Sequence, residues 1–366
     1  MAETTPITVL TGFLGAGKTT LLNHLLRQPA LAKTAVLVNE FGEIGLDHLL
    51  VRKLDDNTVL LNAGCLCCTV RGDLARALRE MLPRCRLDQI TRIMIETTGL
   101  ADPAPILATL MSDPVAAGAY RLDGVVTVVD AVNGMHHLDS QEEAVRQVAV
   151  ADRLVISKSD LADPSALRAR LRRLNPGAPV TEAVNGVVDP DILLNAGLFD
   201  PARKIPDVAR WLQAEAFADA AVQGADGHAG HGDPGHGHED HGHGDHGHGD
   251  HGHGDHGHDV NRHDARIQAF CITLDKPVRW QGLGTWLEML IATQGENLLR
   301  IKGILNLEGQ DRPVAIHGVR HLMHPPALLS GWPEGDPRTS RLVFITRDIP
   351  RAAIEDGLRA FEAAAG

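Results

Sequence analysis

The sequence predicts two folded units: an α/β domain built on a mostly parallel sheet, and a smaller α+β domain beyond a linker of unusual composition. Three observations carry this prediction. Short apolar, β-branched runs alternate with helical patterns through the first 200 residues, the arrangement that packs helices on both faces of a parallel sheet. The first of those runs leads directly into a glycine-rich turn ending in Gly17-Lys18-Thr19. A tract of His, Gly and Asp breaks the composition between residues 226 and 259, and normal composition resumes near residue 265. The boundaries drawn from these breaks are 1–205, 206–263 and 264–366.

At 366 residues the chain exceeds what one core comfortably organises, and 43% hydrophobic residues support real globular cores. No apolar run reaches the roughly 18 residues that span a bilayer, and the N-terminus lacks a basic flank followed by a cleavable apolar segment. A cytoplasmic protein with no membrane partner is expected. The five cysteines are odd in number and bunched, at 65, 67 and 68, with the others at 85 and 271. That spacing argues against a secreted disulfide framework and leaves the thiols for metal or redox chemistry. The net charge of −12 is concentrated: residues 226–259 hold eight acids and no Lys or Arg, contribute −8 and leave −4 for everything else. Without a basic footprint, and with aromatics at 3%, nucleic acid is not an expected partner.

Residues 7–10 read as a strand running into Thr11-Gly12-Phe13-Leu14-Gly15-Ala16-Gly17-Lys18-Thr19-Thr20. This is the G-x-x-x-x-G-K-[ST] phosphate loop, and a helix pattern of Leu21, Leu22, Leu25 and Leu26 begins where it should. Gly12, Gly15 and Gly17 let backbone N–H groups between Gly12 and Thr20, including that of Ala16, turn toward phosphates, while the helix N-terminus adds positive potential. Lys18 reaches the β- and γ-phosphates, and the Thr19 hydroxyl is the candidate Mg²⁺ ligand.

A second strand pattern, 34–39, leads into Asn39-Glu40-Phe41-Gly42-Glu43-Ile44-Gly45-Leu46-Asp47, whose acids and glycines suit a mobile switch, although an ordinary polar loop has similar composition. A strand at 58–61 ends in Gly64-Cys65-Leu66-Cys67-Cys68, and a helix is expected over 73–82. The strand at 92–96 carries Glu96-Thr97-Thr98-Gly99 at its end, where the acid can bind Mg²⁺ and the glycine can sense the γ-phosphate. Asp102-Pro103 caps the next helix; strands follow at 124–130 and 153–157. The latter delivers Ser157-Lys158-Ser159-Asp160, which resembles the guanine-reading [NT]-K-x-D element of GTPases. Asp160 accepts two N–H donors that adenine does not offer, and the Lys158 stem covers the ring. Asp163-Pro164 starts a helix, and 178–182 is the last strand of this unit.

Between the units, residues 226–259 hold twelve histidines, and from His241 the chain settles into His-Gly-His-Gly-Asp repeats. A disordered linker able to collect Zn²⁺, Ni²⁺ or Co²⁺ is expected, losing its ligands to protonation below about pH 6; a spacer without metal chemistry is the alternative. The last unit reads as strands at 265–274, 298–307, 313–321 and 341–346 with helices at 280–293 and 350–364, hence a four-stranded sheet. His317, His321 and His324 read as surface histidines on an alternating strand rather than ligands. No catalytic constellation stands in this unit.

Taken together, the phosphate loop, Glu96-Thr97-Thr98-Gly99, the Cys-x-Cys-Cys run and the guanine-reading element resemble the CobW/YjiA family of metal-handling P-loop GTPases. Residues 39–43 resemble its switch, residues 302–305 and 317–319 its C-terminal domain, and the His-rich insertion is similar to that of several members. The resemblance implies an α/β P-loop NTPase domain with a mostly parallel sheet, a small α+β C-terminal domain, and GTP-dependent delivery of zinc or cobalt to a client metalloprotein. It places the phosphate cradle at Gly12, Gly15, Gly17, Lys18, Thr19 and Thr20, the Mg²⁺ acid at Glu96, guanine recognition at Lys158 and Asp160, and the transition metal at Cys65, Cys67 and Cys68. Ser157 departs from the usual Asn or Thr. Val38 stands where some relatives carry a metal-binding Glu, which makes Glu40 and Glu43 the nearest candidates in sequence for a fourth ligand. A GTP-dependent homodimer is a further expectation. The rival readings are a cobalt chaperone for cobalamin synthesis, a GTPase with a Cys67-Cys68 redox switch, and a metal store built on the histidine tract.

Overall fold

The computed structural model describes residues 4–38, 60–62, 70–194 and 266–364. In the first unit β1 (Thr5–Thr11), β2 (Thr34–Val38), β3 (Leu60–Asn62), β4 (Arg92–Glu96), β5 (Tyr120–Asp130), β6 (Arg153–Ser157) and β7 (Val180–Ala183) form one sheet in the order β3-β2-β4-β1-β5-β6-β7. Every pairing is parallel. Such strands are covered on both faces, which is why they read as continuous apolar runs. Period two still sorts the side chains: Ile7 and Val9 join Ile93 and Ile95 under one helical layer, while Leu10 joins Met94, Val126 and Val128 under the other.

The covering helices are α1 (Lys18–Leu26), α2 (Val70–Arg86), α3 (Ala104–Ser112), α4 (Pro114–Ala119), α5 (Gly134–Ser140), α6 (Glu142–Ala149), α7 (Ser165–Leu174) and the short α8 (Pro190–Leu193). Helix α2 overruns the expected 73–82 at both ends. Pro83 lies in its last turns, but Leu74, Leu78 and Met81 bury one face against the sheet, and that packing outweighs one missing amide bond. Strand β5 starts four residues before its expected beginning, because Tyr120 is buried and its hydroxyl donates to the Leu78 carbonyl at 2.6 Å. Asp102 caps α3 as expected, accepting the Ala104 amide at 2.9 Å.

The second unit is an antiparallel sheet of β8 (Ile267–Leu274), β9 (Leu298–Leu305), β10 (Val314–Val319) and β13 (Ser340–Arg347), ordered β10-β9-β13-β8. Instead of the four strands expected, it has six: the two-residue β11 (Leu322–Met323) and β12 (Ala327–Leu328) fold back onto β10. Helices α9 (Trp280–Gln294) and α10 (Arg351–Ala364) cover one face, where Trp286, Phe270 and Phe344 pack together. Gly357 is required there, since a Cβ would stand 2.8 Å from Trp286 Nε1.

The other face meets the α/β unit. Arg300 on β9 bonds the Val150 carbonyl and the Asp152 carboxylate, Lys302 Nζ lies 2.8 Å from the same carboxylate, and Leu299 and Ile345 pack against Ala149. His317 pairs with Lys302 across β9 and β10, is 1% exposed, and stacks on His324 at 5.1 Å between ring centroids. The expectation of surface histidines is therefore corrected for His317, which is buried, and for His324, which is half-buried: alternation marks one covered face of a strand, and the α/β unit covers the other. His321 is exposed, 3.2 Å from Glu296. Burial alone would raise the Asp152 carboxyl, but the Arg300 and Lys302 charges hold it well below the usual carboxylate range. Burial, with Arg300 adding to it, keeps His317 neutral, and burial pushes His324 down to about 4.

Candidate nucleotide site

The carboxyl ends of β1, β4, β5 and β6 open on one edge of the sheet, the crevice where open α/β sheets bind ligands. After β1 the chain turns through Gly12, Gly15 and Gly17 at φ of 142°, 70° and 92°. Gly12 has a steric reason besides: a Cβ would stand 2.2 Å from the Val128 carbonyl oxygen. Gly17 hands the chain to α1, so the amides of its first turn face the loop. Lys18 Nζ donates to the carbonyls of Gly12 at 2.8 Å and Phe13 at 3.1 Å, which centres its charge over the loop.

Two groups separated by 77 residues meet beside it: the Thr19 hydroxyl donates to Glu96 Oε1 at 2.7 Å. A hydroxyl and a carboxylate at the end of a parallel strand, next to the loop lysine, form a hard-oxygen donor set of the kind that suits Mg²⁺. The segment after Glu96 is pressed against the loop: Thr97 bonds the Thr11 hydroxyl at 2.8 Å, and a Cβ on Gly99 would approach Leu14 N to 2.5 Å.

Ser157 donates from Oγ to the Ala16 carbonyl at 2.6 Å, which ties the end of β6 to the phosphate loop. A hydroxyl-to-loop bond thus stands at the position where the sequence departs from Asn or Thr. Lys158 stands at φ 56° with Nζ 2.7 Å from Asp130, and Asp160 is exposed two residues on. Burial works against the charged form of Asp130, yet its bonds from Lys158 and Asn133 hold its carboxyl below the ordinary value.

Two contributors had no place in the sequence reading. Gln147 on α6 is 1% exposed and donates to the carbonyls of Gly99 at 3.1 Å and Ala101 at 2.9 Å; nothing in the linear pattern of an amphipathic helix marks it. Gly186 lies at φ 77° in a turn against α1, where a Cβ would meet the Thr20 carbonyl oxygen at 2.7 Å. The Asn185-Gly186 pair just beyond β7 was a readable turn signal.

Cys65, Cys67, Cys68, Glu40 and Glu43 lie outside the described residues, as does the histidine tract. The other two cysteines are core residues: Cys85 is buried on α2 and Cys271 half-buried on β8. Among the described residues no group of three His, Cys, Asp or Glu side chains could hold a metal ion, and no helix is long and apolar enough to cross a membrane.

Comparison with known proteins covers both units. The nucleotide-binding domain model of CobW, HypB and UreG matches residues 6–182, and the C-terminal domain model of the cobalamin synthesis protein CobW matches residues 267–362. The zinc chaperone YjiA of Escherichia coli is 32% identical over 356 residues, covering 95% of this chain and 96% of that protein. The zinc chaperone CobW of Pseudomonas aeruginosa is 29% identical over 398 residues, covering 97% and 90%. The crystal structure of Zn(II)-bound YjiA GTPase from E. coli superimposes with a TM-score of 0.65 at 27% identity, covering 98% of this chain and 99% of that one. With both units matched in order and a relative aligned end to end, the chain belongs to the CobW/YjiA family of P-loop GTPases.

Proposed function

We propose that this protein is a GTP-hydrolysing metallochaperone that carries a divalent transition metal, zinc first, on Cys65, Cys67 and Cys68 and passes it to a client metalloprotein. The observation that carries the reading is the 2.7 Å contact between Thr19 and Glu96 beside Lys18, which provides a place for a phosphate-bound cation. Zinc-handling relatives aligned over the whole chain support the cargo.

In this reading the amides of Gly12–Thr20 and Lys18 hold the phosphates, Thr19 and Glu96 hold Mg²⁺, and Gly99 senses the γ-phosphate. Mg²⁺ bound there neutralises charge that builds on the phosphate oxygens during transfer. Asp160 selects guanine, with Lys158 over the ring. Thiolates prefer Zn²⁺ or Co²⁺ to Mg²⁺, so cargo and cofactor occupy separate donor sets. Glu40 or Glu43 supplies a further ligand when GTP orders the switch, and hydrolysis loosens the site for release. Leu14 and Leu100, 53% and 50% exposed beside the phosphate loop, provide apolar surface for a GTP-dependent homodimer.

The test is a competition titration of Zn²⁺ and of Co²⁺ against a chromophoric chelator, with Mg²⁺ and either GDP or a non-hydrolysable GTP analogue. One tight site, tighter with the analogue and lost when Cys65, Cys67 and Cys68 are replaced, is expected. Equal affinity in both nucleotide states would remove the coupling, and a tight site that disappears only on deleting 227–259 would make the protein a metal store.

A further inference from the structure

The segment just after Glu96 is fastened from two directions. Gln147 Nε2 on α6 donates to the carbonyls of both Gly99 and Ala101. From the second unit, Arg320 Nη1 lies 2.6 Å from Asp102 Oδ2, on the carboxylate whose other oxygen caps α3. Arg320 occupies the β10–β11 turn at φ 53° and reaches Glu296 with its other nitrogen at 3.2 Å. Helix α6, which carries Gln147, is itself gripped by the second unit: Glu142 pairs with Arg347, and Ala149 packs with Leu299 and Ile345. On its opposite side the same segment presses on the phosphate loop, at Gly99 against Leu14. A four-residue turn, 99–102, thus carries a contact with the phosphate loop at one end and an ion pair with the C-terminal domain at the other.

We propose that the C-terminal domain sets the position of the 99–102 turn, through Arg320 on Asp102 and Gln147 on the two carbonyls, and so tunes how the site discriminates GTP from GDP. The inference rests on the nucleotide-site reading above. Arg320 and Gln147 are positioning residues, since neither reaches the phosphate loop. A turn locked from behind presents Gly99 without paying an ordering entropy each time a γ-phosphate arrives. Close-packed contacts do not deform continuously, so a shift of the turn on loss of that phosphate must be met at the Asp102–Arg320 pair. By linkage the nucleotide then biases how the C-terminal domain docks by the same factor.

The experiment uses the full chain with Arg320→Asn, Asp102→Asn, their double variant, Arg320→Lys and Gln147→Leu. Asn tolerates the left-handed backbone at 320, and at 102 it retains an oxygen for the α3 cap. Affinities for fluorescent GDP and for a fluorescent non-hydrolysable GTP analogue are measured beside kcat and KM for GTP and the melting temperature. Arg320→Asn and Asp102→Asn are each expected to lower the ratio of triphosphate to diphosphate affinity by about fivefold. The double variant should be no worse than either single one, because the two act as a pair. Arg320→Lys should restore most of the ratio, and Gln147→Leu should lower it further with a fall in kcat. A merely structural role would lower the melting temperature and leave the ratio unchanged; that result, or additive losses in the double variant, overturns the proposal. A wild-type protein that binds neither nucleotide overturns the nucleotide reading itself and this inference with it, whereas normal wild-type discrimination with unaffected variants removes the inference alone.

Discussion

Two polar clusters sit at opposite ends of the parallel strands, the phosphate loop after the carboxyl end of β1 and Asp152 before the amino end of β6, and they are built on opposite principles. Around the phosphate loop, Lys18 is held by main-chain carbonyls and Thr19 by one oxygen of Glu96, contacts that phosphate and a cation can replace. In the seam between the units, Asp152 is enclosed by Arg300 and Lys302 with side chains no more than 12% exposed. Its backbone-facing oxygen also accepts the Val125 amide at 3.0 Å, so the carboxylate is satisfied by permanent partners. The difference is one of exchangeability: the loop groups hold partners that a ligand could displace, whereas those that join the two units are compensated within the protein.

Breaking the seam has the largest expected effect. Asp152→Asn leaves Arg300 and Lys302 buried together without a counter-charge, and stability should fall by about 3–5 kcal/mol in denaturant titration. A loss below about 1 kcal/mol would mean that water reaches the seam and that it is not a compensated interior. Lys18→Ala attacks the other cluster. GTP turnover should fall about 10²–10³-fold, as for loss of one donor to a developing oxyanion, while the unfolding midpoint moves far less than in Asp152→Asn. Unchanged turnover would remove the phosphate loop from the chemistry.

Acid should separate the clusters without mutation. His317 and His324 have depressed values in the folded protein, so below the ordinary imidazole value near 6.5 the unfolded chain binds protons that the folded one refuses. Stability is therefore present above about pH 6.5 and is lost as pH falls toward about 4, where His324 also protonates in the folded state. The slope is about 1.4 kcal/mol per pH unit for each histidine. Asp152, Arg300 and Lys302, which face the pair, keep their charges through that window. A melting temperature flat from pH 7 to 5 would contradict the buried assignment. The smallest effect is expected of Ser157→Ala, which removes the bond to the Ala16 carbonyl. It should cost about 1 kcal/mol in stability and less than about tenfold in nucleotide affinity, as read by calorimetry.

The two clusters also differ in how far they could be read in advance. Gly12 to Thr20 are contiguous, and a strand before and a helix after leave one conformation for the backbone between them. Glu96 was readable because parallel strands all end at one edge of the sheet, so an acid closing a β-branched run falls near the loop. The position of Lys158 and Asp160 just beyond β6 was readable for the same reason, although the Lys158–Asp130 bond was not. Nothing comparable marks Asp152, whose partner Arg300 lies 148 residues away, or Gln147, whose helix shows only an ordinary amphipathic pattern. His317 was misread because strand alternation reports one buried face and is silent about a second domain on the other.

By itself the sequence determined the parts that depend on short-range backbone geometry: the phosphate loop, the acid at the end of β4, the placement of Lys158 and Asp160 just beyond β6, and the parallel α/β order. Tertiary structure alone decided what those parts are attached to. The Asp152 seam, the Gln147 bonds and the Arg320–Asp102 pair join residues distant along the chain, and such contacts follow from how elements pack within a unit and how two units meet rather than from any local preference. A motif records the conformation of its own backbone, but the side chain that will hold it in place can come from anywhere in the chain.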